Sequence, residues 1–460
     1  MKNMTLRNIA AASGGTYIGD EKLADEEITG VVKDNREVAP GNLFVPFAGA
    51  RVDGHMFISD AFKRGAICCL SEHELNDPDG AYILVKSTAK ALMDIAGFYR
   101  KQIGAKIIGV TGSVGKTSAK EFIAGVLSVK FNVLKTEGNF NNEIGMPLTI
   151  LKIRDDHDVA VIEMGISDFG EMSRLANVAG PDVCVITNIG TCHLENLGDR
   201  DGVFRAKTEI FEYVNENDAV ILNGDDDKLA GVKDVNGIRP VFYGFGENAD
   251  VRACGISSRG IDSSDAVIKT RDGQISVNVP AAGEHMVLNA LAGAACGLEF
   301  GMTLPQIKEG IESQRTIGGR LNVIRTEKLT IIDDCYNASP ASVKAALKVL
   351  ALAEGRRIAI IGGMNELGEK SAAFHRQVGE YAGTSGIDVL ACVGKQTIPM
   401  AKAAAAAAAA SGNDMQVLTF TKKEEVILLA ARGAKKGDTV LVKASHSFGF
   451  DEIVEKLKSL

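Results

Sequence analysis

The sequence predicts an α/β protein of three domains, and three observations predict it. At 460 residues the chain exceeds a single core, since domains run at roughly 100–200 residues. Short apolar runs alternate with amphipathic stretches for most of the length, the signature of parallel sheets with helices on their faces. One candidate strand, 106–110, runs through a glycine turn into a helix beginning at Lys116, the layout of a phosphate-binding loop.

In chain order, residues 1–83 form a small α/β unit ending near the apolar run Tyr82-Ile83-Leu84-Val85. Residues 84–315 hold the glycine turn, candidate strands at 106–110, 158–163, 182–187 and 218–222, and amphipathic stretches at 116–129 and 203–213. Near 250–280 the pattern changes to alternation, as in Ser276-Val277-Asn278-Val279, which reads as antiparallel strands. Residues 316–460 repeat the alternation, with strands at 329–333, 357–361, 388–393, 416–420 and 439–442, a helix at 340–352, and no second phosphate loop. The alanine tract 403–410 has the highest intrinsic helix propensity and reads as a surface helix.

Composition narrows the function classes. Hydrophobic residues at 45% and charged residues at 24% are the balance of a soluble globular chain. A net charge of −8 argues against nucleic acid as an obligate partner, because phosphate backbones select basic faces. It leaves room for an anionic small substrate in a local basic pocket. The eight cysteines form no CxxC pair, so reduced thiols in a cytoplasmic protein are expected rather than zinc or disulfides. The first residues carry no apolar signal core, and no apolar run reaches membrane-spanning length, so no membrane insertion is expected.

The segment Thr111-Gly112-Ser113-Val114-Gly115-Lys116-Thr117-Ser118 carries the strongest chemical signal. Glycines 112 and 115 let the backbone turn its N–H groups toward a phosphate at the positive end of the next helix. Lys116 would reach the β- and γ-phosphates, and the Thr117 hydroxyl would ligate Mg²⁺. Val110 stands where the general pattern has its first glycine, so the match is to the shorter TG-x-x-GK-T form. Glu163 closes an apolar strand at the edge where open α/β sheets bind ligands, and a metal role follows from its place behind the loop. His193 follows the next strand end; contact with metal or phosphate and a plain loop histidine are both open on those grounds. Lys207 lies on an amphipathic helix, where a solvated lysine is the simpler outcome.

These segments, in this order, resemble the Mur ligases of bacterial cell-wall synthesis. Thr111–Ser118, the strand-end Glu163-Met164-Gly165, the segment Asn188-Ile189-Gly190 through His193, and Ala206-Lys207-Thr208-Glu209-Ile210-Phe211 carry the resemblance, which spans essentially the whole chain. It implies a first domain for a uridine nucleotide, a central P-loop ATPase-like parallel sheet for ATP, and a Rossmann-like third domain that closes over both. It also implies that Lys207 is carbamylated and ligates metal with Glu163 and His193, so that two Mg²⁺ ions are expected. Carbamylation would turn a cation that repels Mg²⁺ into an anionic ligand. Lys116, Lys207 and His193 are then the catalytic set.

Further segments resemble the member that adds D-alanyl-D-alanine to UDP-N-acetylmuramoyl-tripeptide. Asp34, Asn35 and Arg36, with Arg51, Asp53 and His55, match the uridine-binding domain. Thr136, Asn139, Asn141 and Asn142 match the loop that meets the muramoyl peptide. Asn289 matches an asparagine that contacts adenine, and Arg320, Asp334 and Tyr336 match residues that reach ATP from the third domain. Asn337, Met364, Glu366, Lys443, Ser445 and His446 are the implied dipeptide contacts. The DNPR-type motif of the diamino-acid-adding ligase does not occur. Four departures stand out: Asn35 replaces a serine, Ser113 and Val114 replace a more polar pair, Gly363 stands where aspartate is common, and Ala444 with His446 replace a KGSR-like turn. The last puts the dipeptide preference in question.

The implied reaction makes an acyl-phosphate from the acceptor carboxylate and ATP, which the dipeptide amine then attacks. A monomer would suffice. The competing enzyme classes are a diamino-acid-adding or folylpolyglutamate-type ligase; the competing non-enzyme is a nucleotide switch, against which stands the absence of an NKxD segment.

Overall fold

Three sheets organise the chain. The structure is a computed structural model that describes all residues except Ala50, Thr316 and Ile317, and all side chains except also those of Ala430, Ala431 and Arg432. The expected break between 315 and 316 therefore falls at a residue outside those described. The first sheet has five strands in the order Thr16–Ile18, Ala81–Leu84, Cys68–Ser71, Asn42–Phe44, Gly30–Val32. All its pairs are parallel except the first, where Leu84 faces Thr16. That pairing carries the sheet one residue past the expected limit at 83.

The central sheet has nine strands: Gly273–Val279, Ser263–Thr270, Val251–Arg259, Val241–Gly244, Ala219–Asn223, Val183–Ile186, Lys106–Thr111, Val159–Glu163 and Val133–Lys135. The last seven run parallel, and the first two add an antiparallel meander at one edge. Strands buried on both faces read as continuous apolar runs, whereas Ser263–Thr270, open on one face, alternates. Lys106–Thr111 lies between Val159–Glu163 and Val183–Ile186. Its C-terminal turn is thus flanked by two other strand ends, the place where open α/β sheets bind ligands.

The third sheet has six strands: Asn322–Arg325, Leu329–Asp333, Asp438–Lys443, Arg357–Ile361, Val389–Val393 and Gln416–Phe420. Only the first pair is antiparallel. The helix Pro340–Leu350 starts with Ser339 as its N-cap and proline in its first turn, a standard start signal. Ile261 and Ala282 of the central domain are buried in the same apolar cluster as Val343, Ala346 and Leu350, so the third domain is seated on the central one there.

Two expectations about helices are corrected. The alanine tract lies in Ile398–Ser411, and this helix is not merely superficial, because Met400, Ala401, Ala404 and Ala408 are buried. The reason is close approach to the helix Ser371–Thr384: a Cβ on Gly379 would sit 2.1 Å from the Met400 carbonyl oxygen, and one on Gly383 would sit 2.6 Å from that of Ala404. Propensity alone could not show that small side chains there serve contact between backbones. The stretch expected as one helix over 203–213 is an α-helix, Arg200–Thr208, followed by a 3₁₀ segment, Glu209–Tyr213.

Candidate active site

The phosphate loop is built by glycines that admit no side chain. Gly112 (φ 145°) and Gly115 (φ 81°) hold positive backbone angles; a Cβ on Gly112 would lie 2.0 Å from the Thr187 Oγ1. Neighbouring strand ends lace the loop in place. Ser113 N–H donates to the Asn188 carbonyl (3.0 Å), and Val114 N–H to Asn188 Oδ1 (3.0 Å). Thr187 Oγ1 and Asn188 Nδ2 donate to the Val114 carbonyl at 2.7 and 2.8 Å. Gly190 N–H donates to Ser113 Oγ at 2.8 Å. The loop is held before any ligand arrives, so binding loses little freedom there. Lys116 Nζ donates to the Gly112 carbonyl at 3.0 Å.

Around this loop lies a cavity of about 490 Å³ lined by Ser113 through Ser118, Glu163, His193 and Asn289, and from the third domain by Arg320, Asp334 and Tyr336. Asn141, Asn142, Asn337, Glu366, Lys443 and Ser445 also line it. Asn289 abuts the loop: a Cβ on Gly115 would sit 3.0 Å from its Oδ1. The Arg320 guanidinium lies 4.1 Å from the Tyr336 ring centroid, a cation–π arrangement that presents a flat, positive surface to the cavity. The Tyr336 ring lies 5.4 Å from that of His446, which is exposed and outside the lining.

Carboxylates and lysines in the site are paired unequally. Glu163 is 1% exposed; its Oε1 accepts from Asn141 Nδ2 at 2.8 Å, while its buried Oε2 has no hydrogen-bond partner among the described residues. Lys443 Nζ donates to Asp334 Oδ2 at 2.6 Å and to the Asn337 carbonyl at 2.8 Å. Burial pushes the Asp334 carboxyl up, and Lys443 beside it counters that shift. His193 Nδ1 lies 2.7 Å from Glu366 Oε2, across the two domains, and this hydrogen bond holds the Glu366 carboxyl below its ordinary value. Lys207 is 1% exposed, not solvated as its helix alone implied; burial, with Lys116 adding repulsion, pushes its ammonium down to about 8.

Several expected contacts are placed elsewhere. Thr111 is wholly buried and donates from its hydroxyl to the Met164 carbonyl (2.9 Å). Thr136 is also buried, and its hydroxyl accepts from the backbone N–H of Glu163 (2.9 Å), so it ties down the strand end that carries Glu163 rather than facing a ligand. Met364 is 1% exposed and sits in the apolar core of the third domain, which rules out a side-chain contact with a dipeptide. Asn139 is exposed and outside the cavity lining. Asn142 does line the cavity, and its Oδ1 accepts from Gly145 N–H (2.9 Å) at the start of the helix Gly145–Ile150.

The six first-domain residues do not line the cavity. Asp34 caps a 3₁₀ turn and pairs with Arg36, Asn35 Nδ2 donates to Asp60 Oδ2 (2.7 Å), and Asp53 pairs with His55 (2.7 Å). Arg51 is exposed. Asn365, whose N–H donates to Ser445 Oγ (3.0 Å), and His285, pushed down to about 4 by burial and by Lys443, line the cavity without having been singled out. Asn365 is next to the motif residue Glu366, and His285 lies one helical turn before Asn289 in the helix Glu284–Glu299, which is the one signal the sequence offered.

Known proteins carry the same arrangement. The model for "Mur ligase family, catalytic domain" matches residues 27–100, that for "Mur ligase middle domain" matches 110–297, and that for "Mur ligase, glutamate ligase domain" matches 319–446. The UDP-N-acetylmuramoyl-tripeptide–D-alanyl-D-alanine ligase of Bacillus subtilis (strain 168) is 35% identical over 99% of each chain. A crystal structure of MurF from Acinetobacter baumannii superposes with a TM-score of 0.88 at 30% identity, covering 99% of both chains. The MurF ligase of Thermotoga maritima in complex with ADP superposes at 0.81, also at 30% identity, over 94% of this chain and 97% of that one. With all three domains matched in order around a laced phosphate loop, the chain belongs to the Mur ligase family.

Proposed function

We propose that the protein is an ATP-dependent, ADP-forming ligase that joins D-alanyl-D-alanine to UDP-N-acetylmuramoyl-tripeptide, giving the pentapeptide precursor of peptidoglycan. One observation carries this reading: a rigid phosphate loop faces the unpartnered Glu163 oxygen on one side and a third-domain wall on the other, in a chain 35% identical end to end to such a ligase.

Carboxylates are poor electrophiles at neutral pH. In the proposed reaction an oxygen of the acceptor carboxylate attacks the γ-phosphorus of ATP, the bond to the β-phosphate oxygen breaks, and ADP departs. The neutral dipeptide amine attacks the acyl carbon, the tetrahedral intermediate collapses, and phosphate leaves. Residues 115–117 offer backbone N–H groups at the start of the helix Lys116–Leu127, and Lys116 adds a mobile charge for the phosphates. Asn289 lies on the loop's flank, and the Arg320–Tyr336 pair covers the cavity from the third domain. Closure of that wall excludes water and protects the acyl-phosphate. Asn337 and Ser445 lie on the same wall and are the residues present to meet the dipeptide.

The residues fit Mg²⁺. Thr117 Oγ1 and Glu163 supply hard oxygen donors, and a buried carboxylate oxygen with no partner among the described residues suits a hard cation. No group of three His, Cys, Asp or Glu among the described residues forms a ready cage, in keeping with an ion that keeps waters and phosphate oxygens. His193 and carbamylated Lys207 would serve a second cation. Carbamylation needs a neutral amine, whose nitrogen bonds the carbon of CO₂ and releases a proton; a buried lysine held down to about 8 supplies it. Bound Mg²⁺ would neutralise the crowded phosphate oxygens.

The first domain would hold the uridine nucleotide through the Asp34–Arg36 and Arg51–His55 turns. No helix among the described residues is long and apolar enough to cross a membrane, and the substrates place the reaction in the cytoplasm. The test is phosphate release with UDP-N-acetylmuramoyl-tripeptide and ATP, comparing D-alanyl-D-alanine with single amino acids. Stimulation by the dipeptide alone is expected; stimulation by a diamino acid with a shorter acceptor would redirect the reading to another member of the family.

A further inference from the structure

Two residues reach toward each other from different domains, and each holds a positive backbone angle. His193 precedes the short helix Leu194–Leu197 of the central domain with φ 52°, and Glu366 follows the strand Arg357–Ile361 of the third domain with φ 63°. Side chains with a Cβ enter this region only when their surroundings over-determine it, and such residues gather at functional sites. The surroundings here are continuous. A Cβ on Gly368 would lie 3.6 Å from Glu195 Cα, so the two backbones adjoin beside the pair. Phe374 of the third domain packs against the apolar cores of both domains. The 2.7 Å contact between His193 Nδ1 and Glu366 Oε2 thus belongs to a built interface.

We propose that Glu366 is a positioning residue: it fixes the tautomer and ring orientation of His193, and does so only when the third domain is closed. This rests on the reading that His193 offers a nitrogen to a divalent cation at the nucleotide phosphates. An imidazole that donates its Nδ1–H to a carboxylate keeps its lone pair on Nε2, ready to ligate. Carboxylate partners of this kind orient metal-binding histidines and raise their basicity. Among the described residues, no central-domain group accepts from His193 Nδ1. With the third domain swung away, the ring would be free to turn and to exchange tautomers. Closure would then complete the cation site at the moment it covers the acyl-phosphate, which discourages phosphoryl transfer in an open, wet site.

The sequence motif alone placed Glu366 among dipeptide contacts, and the two roles separate experimentally. A dipeptide contact acts on KM for D-alanyl-D-alanine; a positioning residue acts on metal affinity and kcat. The experiment uses the full chain as wild type, Glu366→Gln, Glu366→Ala, His193→Ala and the double alanine variant. Free Mn²⁺ is titrated by electron paramagnetic resonance in the presence of saturating ADP, and kinetics are run in parallel. Glu366→Ala should weaken Mn²⁺ binding by about 10-fold or more, Glu366→Gln by less, with KM for the dipeptide within about twofold of wild type. The double variant should bind Mn²⁺ no more weakly than His193→Ala, because both substitutions remove one function. Unchanged Mn²⁺ affinity with a raised dipeptide KM overturns the inference, as does full additivity in the double variant. Unchanged Mn²⁺ affinity in His193→Ala overturns it at its root. A wild-type protein that binds Mn²⁺ with ADP yet shows no dipeptide-stimulated phosphate release would instead sink the proposed reaction.

Discussion

Lys116 and Lys443 line the same cavity, one on the central domain and one on the third, and their surroundings differ in kind. Lys116 is held by a single bond to the carbonyl of its own loop, an attachment that an arriving phosphate can replace. Lys443 is buried against Asp334 and bonded also to the Asn337 carbonyl, so its charge is already neutralised within the protein. A lysine in a cavity is a ligand group only if its charge is uncommitted. The same contrast separates the two walls: the phosphate side presents free donors, and the third-domain side is a scaffold bonded across 106 to 109 positions of sequence.

Substituting each lysine sharpens that contrast. Lys116→Ala should lower dipeptide-dependent phosphate release by about 10³-fold, with a melting temperature by circular dichroism within ~2 °C of wild type; a nearly active variant would break the comparison. Lys207 is a third case, buried with no carboxylate partner among the described residues, and Lys207→Ala should cost about 100-fold in rate, partly restored by formate or acetate. Its pH dependence has a definite sign. Burial holds the amine at about 8, below the ordinary lysine value of 10.5, so protonation grows below pH 8 and removes the form that takes up CO₂. At a fixed concentration of dissolved CO₂, enzyme stripped of CO₂ should regain activity about tenfold more slowly for each pH unit below 8; pH-independent recovery would contradict carbamylation.

Lys443→Ala should act through the fold, leaving the Asp334 carboxylate buried and unpaired. A loss of about 3–5 kcal/mol in urea unfolding of the third domain is expected, and a variant of unchanged stability would place Lys443 with Lys116 after all. Smallest is Gly379→Ala, which pushes the helix Ser371–Thr384 off Ile398–Ser411 and should cost about 1–3 kcal/mol without altering the KM for ATP. A change in that KM would show that the scaffold's helix contacts reach the phosphate side.

How much was legible depended on the range of the signal. The strands 329–333 and 357–361 appear with the expected limits, because largely buried strands are written as apolar runs; 416–420 also keeps its limits although it is a half-exposed edge strand. The phosphate loop was equally legible, since a glycine turn between strand and helix is local chemistry. Burial of Lys207, the inward turn of Met364, and the structural use of Thr136 had no local signature. Neither did the partner of Glu366, which lies 173 positions away at His193.

By itself, the sequence determined the layered α/β architecture, the place of the phosphate turn and the family pattern of polar residues, because periodicity and turn chemistry act over a few residues. Only the tertiary structure decided which charges are neutralised, which carboxylate oxygen is left unpartnered and which residues of two domains meet. Those outcomes depend on desolvation and on contacts between segments that approach only once the sheets have packed, and no short stretch of chain encodes them.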